Sequence, residues 1–146
     1  MGNKISIILP AYNEGSVVGR VVSNLANKFP NAEIIVVDDC STDDTGLEAK
    51  SAGATVIRHL YNMGNGASIK TGARNANGEI FVFMDADGQH SPEDVERLLE
   101  KLNEGYDLVI GARDAESQAS VVRRIGNKIY NVAASAMTGF PIKDLT

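Results

Sequence analysis

The chain has 146 residues, 43 % of them hydrophobic and 23 % charged, and a net charge of −5. That length supports one domain with a core of its own, while the acidic balance and the lack of any Lys/Arg run exclude a nucleic-acid-binding surface. A single cysteine, Cys40, excludes a disulfide framework and a thiolate metal site, and the absence of a signal peptide or a bilayer-length apolar run points to the cytoplasm.

Lys4 to Leu9 reads as a buried strand stopped by Pro10. Asn13 is placed to cap a helix whose apolar face is Val17, Val18, Val21, Val22, Leu25 and Ala26. Glu33 to Val37 is a second strand, leading into the polar run Asp38 to Thr45, where Ser41 or Thr42 can cap a short helix that Gly53 ends. Ala54 to Arg58 is a third strand, and a helix from about Ala67 to Ala76 follows Asn62-Met63-Gly64-Asn65-Gly66. Ile80 to Met84 is an unbroken apolar run, as expected of a central strand buried on both faces. Ser91 caps the next helix with Pro92 at its first position, and Val95, Leu98, Leu99 and Leu102 mark its inward face. Asp107 to Gly111 suggests a fifth strand, and residues from about Ser117 to Met137 a last helix. Regular alternation of strand and helix predicts an α/β fold, three layers around a doubly wound, mostly parallel sheet.

The segment after Met84 carries the chemistry. Asp85 and Asp87 are separated by one small residue, Ala86, in a short loop where open α/β sheets place their ligands. Carboxylates this close repel unless a cation lies between them, and oxygen donors without a Cys or His cluster select a hard one, Mg²⁺ or Mn²⁺. Such a metal keeps part of its shell for phosphates, so a metal–diphosphate site is the leading interpretation. A helix-capping acidic loop would also account for the pattern. A calcium loop fits poorly, because His90 stands where its glycine belongs. A phosphatase with Asp85 as nucleophile is a further rival; in such phosphatases the motif lies on an early strand and is followed by Thr or Val, where this chain has Gln89.

Other strand ends add to this. Tyr12, Asn13 and Glu14 follow the first strand, Asp38 and Asp39 the second, and Asp85, Asp87 and Gln89 the fourth; a parallel sheet brings all of them to one edge. A tyrosine there can stack on a base. No G-x-G-x-x-G follows the first strand, which excludes a dinucleotide dehydrogenase, and Gly64 to Thr71 fails as a P-loop because Ile69 replaces its second glycine. Gly64 and Gly66 instead suit a tight turn beside a ligand or strand.

Four stretches, Ile7 to Glu14, Val36 to Asp43, Asn62-Met63-Gly64 and Met84 to His90, resemble in order the motifs of family 2 glycosyltransferases with the GT-A fold. Gln89 and Gly111-Ala112-Arg113 make the chain similar to the polyprenol (dolichyl) phosphate mannose or glucose synthases. The resemblance implies a nucleotide-sugar site made by Pro10, Ala11, Tyr12, Glu14, Val37, Asp38, Asp39, Asp85, Ala86, Asp87 and Arg113. It implies Asp87 and Gln89 as direct metal ligands beside Asp85, and Asp87 and Asp144 as catalytic residues. The implied reaction is inverting transfer of a hexose from a nucleoside diphosphate to polyprenyl phosphate, using Mg²⁺ or Mn²⁺. A saccharide-hydroxyl acceptor in cell-surface polysaccharide synthesis, or a nucleotide-sugar-binding module without turnover, are the alternatives. A hydroxyl acceptor would need a general base, for which His59, His90 and Asp144 are the candidates; His59, at a strand end, reads as structural, and His90 as a capping or packing residue. Cys40, where the family often has Gly, Asn or Asp, reads as a packed residue. Family members continue beyond Asp144-Leu145-Thr146, so the chain reads as a donor half lacking its acceptor part. The apolar side of the last helix would pack against that part, form a homodimer or lie on the cytoplasmic face of a membrane.

Overall fold

The computed structural model describes residues 4–111. Strands β1 (Ile5–Ala11), β2 (Glu33–Asp38), β3 (Thr55–Arg58) and β4 (Ile80–Phe83) alternate with helices α1 (Val18–Lys28), α2 (Thr45–Ser51), α3 (Asn65–Asn75) and α4 (Pro92–Leu102). Every strand pair is parallel, in the order β3-β2-β1-β4. The chain winds outward from β1 through β2 to β3, then crosses back to place β4 on the other side of β1. Winding that reverses between β1 and β4 opens a crevice at their carboxyl ends. The sheet and the helices that cover it belong to one compact unit ending at Arg97, and Leu98 begins a second.

The core lies where two apolar strands run side by side. Ile7, Ile8 and Leu9 of β1 pair with Ile34, Ile35 and Val36 of β2, and all but Ile34 are wholly inaccessible. Ile8 and Val37 face α3, which comes so close that a Cβ on Gly72 would lie 2.3 Å from Ile8 Cγ2. Asp38 and Val56 face the opposite side, against Gly46 of α2, and α1 packs beside α2 through a face that buries Val18, Val21, Val22 and Leu25. Helices thus cover both faces of the parallel sheet, and the three-layer α/β architecture expected from the alternation is the one found.

Several local expectations change. β1 runs through Pro10 to Ala11, with Pro10 opposite Val37. The last bond from the β4 side is Met84 N–H to Ile8 C=O, so the N–H that Pro10 lacks would face a strand that has already left the sheet. Asn13 does not cap α1; it takes a left-handed conformation (φ 57°) and ties two loops together, its amide donating to Ser41 Oγ and its side-chain oxygen accepting from Thr42 N–H. Ser41 is therefore engaged across the loops and does not cap α2. β4 is not buried on both faces: Phe81 and Phe83 are 42 % and 45 % exposed, and among the described residues β1 is its single strand neighbour. Residues 107–111 form no strand, and Leu108 and Ile110 are each 74 % exposed. The α4 start is as expected: Ser91 N–H and Oγ–H donate to Asp94 Oδ2 while Asp94 N–H returns to Ser91 Oγ, a reciprocal capping box ahead of Pro92. The expected last helix lies outside the described residues.

Candidate functional site

The carboxyl ends of β1, β2 and β4 meet the turn before α3 around a cleft of about 310 Å³. Pro10 and Ala11 line it from the end of β1, Tyr12 and Glu14 from the loop that follows, Asp39 from the loop after β2, Asp85, Ala86 and Asp87 from the loop after β4, and Asn62, Gly64, Asn65 and Ser68 from the turn and first turn of α3. Tyr12 is half-exposed, a ring available for stacking, whereas Asp39 is nearly inaccessible. The first turn of α3 brings helix N-terminal amides to the wall, a setting that favours an anion. Asn65 and Ser68 were not foreseen, since a helix starting near Ala67 left them in a loop or facing elsewhere.

Two loops are fixed to each other beneath the cleft. Glu14 N–H donates to Thr45 Oγ1 at 2.8 Å and Gly15 N–H to Asp43 Oδ2 at 2.9 Å, joining the start of α1 to the start of α2. The Thr45 hydroxyl also donates to Asp43, and this bond foremost holds the Asp43 carboxyl below its usual range. Glu14 is pushed the other way, first by burial and then by the negative charges of Asp87, Asp43 and Asp85. The neighbouring carboxylates thus add to burial in disfavouring the charged form of Glu14.

Asp39, which lines the cleft, has three donors around its carboxylate. Its Oδ1 accepts from Met63 N–H at 2.8 Å and lies 2.7 Å from His59 Nδ1, while Oδ2 accepts from Gly64 N–H at 2.7 Å. Burial raises its pKa, but the Met63, His59 and Gly64 donors outweigh burial and hold the carboxyl below its usual value. Gly64 sits at φ 86°, a backbone conformation that suits glycine. The half-buried Cys40 Sγ meets the Leu60 carbonyl at 3.6 Å, as a packed residue would.

Other predicted residues fall elsewhere. Val37 is buried against α3. Asp38 is wholly buried, its oxygens accepting from Ser41 N–H and from Arg58 Nη1, and neither residue lines the cleft. Gln89 lies in the exposed end of the acidic loop, where its backbone N–H donates to Asp87 Oδ1 at 2.9 Å. Arg113 and Asp144 lie outside the described residues. A second cavity, about 530 Å³, lies between α1 and residues 88–93; His90, one of the candidate bases, lines it, and none of the predicted nucleotide-sugar or metal residues does.

The donor chemistry of the cleft fits a hard cation. Its acids are all oxygen donors, and the negative charges of Asp87 and Asp85 add to burial in raising Glu14. Among the described residues no group of three or more His, Cys, Asp or Glu side chains is placed to hold a metal ion by itself. An open set of this kind suits Mg²⁺ or Mn²⁺, which retains water or substrate phosphate in its remaining positions.

The match to known proteins covers nearly the whole chain: residues 6–145 fit the family model described as glycosyl transferase family 2. The chain belongs to that family. Within it, a dolichol-phosphate mannosyltransferase of Pyrococcus furiosus is 38 % identical over 75 % of this chain and 33 % of its own length. An undecaprenyl-phosphate 4-deoxy-4-formamido-L-arabinose transferase of Proteus mirabilis is 30 % identical over 97 % of this chain and 46 % of its own. The crystal structure of glucosyl-3-phosphoglycerate synthase from Mycobacterium tuberculosis with Mn²⁺, UDP-glucose and phosphoglyceric acid superposes with a TM-score of 0.63 at 31 % identity, covering 71 % of this chain and 40 % of that one. The GT-A architecture expected from the motifs is therefore present, and the chain spans between 33 % and 61 % of the length of the curated relatives it matches. No helix among the described residues is long and apolar enough to cross a membrane.

Proposed function

We propose that this chain carries the donor site of a metal-dependent, inverting glycosyltransferase that moves a hexose from a nucleoside diphosphate to a polyprenyl phosphate. The observation that carries this is the single cleft in which Pro10, Tyr12, Glu14 and Asp39 face Asp85, Ala86 and Asp87 at the switch point of the sheet. Tyr12 and Asp39 receive the nucleoside, and the Asp85–Asp87 loop lies along the diphosphate. Asp87 and Gln89 hold Mg²⁺ or Mn²⁺, with Asp85 beside them; the bound ion supplies Lewis-acid stabilisation of charge on the departing diphosphate. The first turn of α3 adds its amides to the same anion. A phosphate monoester acceptor is already ionised near neutral pH and needs no strong base, in keeping with a cleft whose acids are occupied in binding. The mannosyl- and arabinosyl-type relatives named for dolichol and undecaprenyl phosphate support this acceptor class, and peripheral membrane contact follows from it.

Calorimetric titration of GDP and of UDP, each with and without Mn²⁺, tests the donor site. Metal-dependent binding of one nucleotide supports it and narrows the donor. Binding of neither by a cooperatively folded sample overturns the donor site as drawn here.

A further inference from the structure

His59 is the buried titratable group that the donor site leaves without a part. It follows β3, is 9 % exposed, and has both ring nitrogens engaged: Nδ1 lies 2.7 Å from Asp39 Oδ1 and Nε2 lies 2.9 Å from Thr71 Oγ1 on α3. An ionised carboxylate can only accept, so Nδ1 carries the proton toward Asp39; in the neutral ring Nε2 then accepts from the Thr71 hydroxyl. Asp39 in turn gathers the Met63 and Gly64 amides. These bonds form one chain from α3 through His59 and Asp39 to the 62–64 turn, and two of its members, Asp39 and Gly64, line the cleft.

A carboxylate offers about four acceptor positions. His59 and Met63 occupy those of Oδ1 and Gly64 one of Oδ2, so the position left lies on an oxygen of a residue that lines the cleft. Without the imidazole, Asp39 would lose one of its three donors and the rotamer that the other two require. We propose that His59 is a positioning residue: it fixes the Asp39 rotamer and, through Asp39, the 62–64 turn that forms one wall of the cleft. It touches no substrate atom. Its consequence for nucleotide affinity rests on the donor site proposed above; its effect on the turn does not.

The experiment compares His59→Asn with His59→Gln. Asn carries an amide N–H close to the place of Nδ1, whereas Gln carries its amide near the place of Nε2 and leaves Asp39 without that donor. His59→Ala removes both bonds at once and puts folding itself at risk, which is why it is not the test. Hydrogen exchange at the Met63 and Gly64 amides, melting temperature, and calorimetric affinity for GDP and UDP with Mn²⁺ are measured for the wild type and both variants. The expected result is wild-type exchange in His59→Asn and faster exchange at both amides in His59→Gln, with affinity about tenfold weaker in the Gln variant alone. A merely structural histidine would leave the two variants alike at these amides and let affinity follow melting temperature, and that outcome overturns the proposal. If the wild type binds neither nucleotide, the donor site falls while the exchange comparison still decides the role of His59.

Discussion

Asp87 is the residue on which the donor site stands or falls. Its one hydrogen bond among those described at the acidic loop comes from the Gln89 backbone, and its negative charge adds to burial in raising Glu14. Asp87→Ala should therefore abolish metal-dependent nucleotide binding with a melting temperature close to that of the wild type, because no buried partner is orphaned. Calorimetry with Mn²⁺ and a thermal melt read the two halves of this; unchanged affinity would remove Asp87 from the metal site. Glu33 is its opposite, an acid that stabilises rather than binds. Its carboxylate accepts from Asn77 N–H at 2.8 Å, from Ser6 Oγ at 2.6 Å and from Asn77 Nδ2 at 2.9 Å, clasping β1, the start of β2 and the approach to β4. The Asn77 amide first, then Ser6, hold its pKa below the ordinary 4.5, against a smaller push from burial. A depressed folded value means that the stabilisation is present above the unfolded value and is lost as pH falls through the folded one. Glu33→Gln should melt lower than the wild type near neutral pH, with the gap closing below about pH 4. A gap that stays constant with pH would show that the clasp owes nothing to the charge.

At the scale of elements, the strongest packing constraint is a place with no side chain. Gly72 lies where α3 crosses β1 and β2, and a methyl there would meet Ile8 Cγ2 at 2.3 Å and Val37 Cγ2 at 3.3 Å. Both neighbours are themselves wholly inaccessible, so neither can move aside cheaply. Gly72→Ala should cost about 1–3 kcal/mol or more despite the higher helix propensity of alanine, read as a fall in the urea midpoint. A stabilised variant would mean that α3 sits farther from the sheet. The sequence shows why such a contact is hard to foresee: Gly72 lies inside Ala67 to Ala76, where a glycine reads only as a weak helix former. Elements with a periodic apolar face were legible, as α1 with Val18, Val21, Val22 and Leu25 shows. Ser91-Pro92 with Asp94 was legible because a cap is written within four residues. Asn13 was misread because its partners, Ser41 and Thr42, are brought to it by the parallel pairing of β1 and β2 and not by nearness in the chain. Asp107 to Gly111 was misread because a β-like run of residues does not by itself make a ladder.

For the whole molecule, the cleft was legible because a parallel sheet carries all its strand ends to one edge, and Tyr12, Glu14, Asp39, Asp85 and Asp87 each follow a strand. Val37 and Asp38 show the limit of that rule. Alternate residues at a strand end point to opposite faces, so Val37 is taken into the core under α3 and Asp38 into a pair with Arg58, while Asp39, one residue beyond the strand, reaches the cleft. Every residue lining the cleft precedes Arg97, the end of the first compact unit. Donor binding should accordingly stabilise that unit by linkage, since a ligand that binds only the folded state adds RT ln(1 + [L]/Kd), about 2.7 kcal/mol at a hundredfold excess over Kd. The acids that repel one another when the cleft holds no cation give the linkage a condition: nucleotide without metal adds charge to an already negative cleft. Mn²⁺ with the cognate nucleotide should raise the melting temperature by several degrees, nucleotide with a chelator should not, and the gain in amide protection should be concentrated before residue 97 around Tyr12, the 62–64 turn and the 85–89 loop. Equal stabilisation with and without metal would separate the nucleotide from Asp85 and Asp87 and leave their loop as a helix cap.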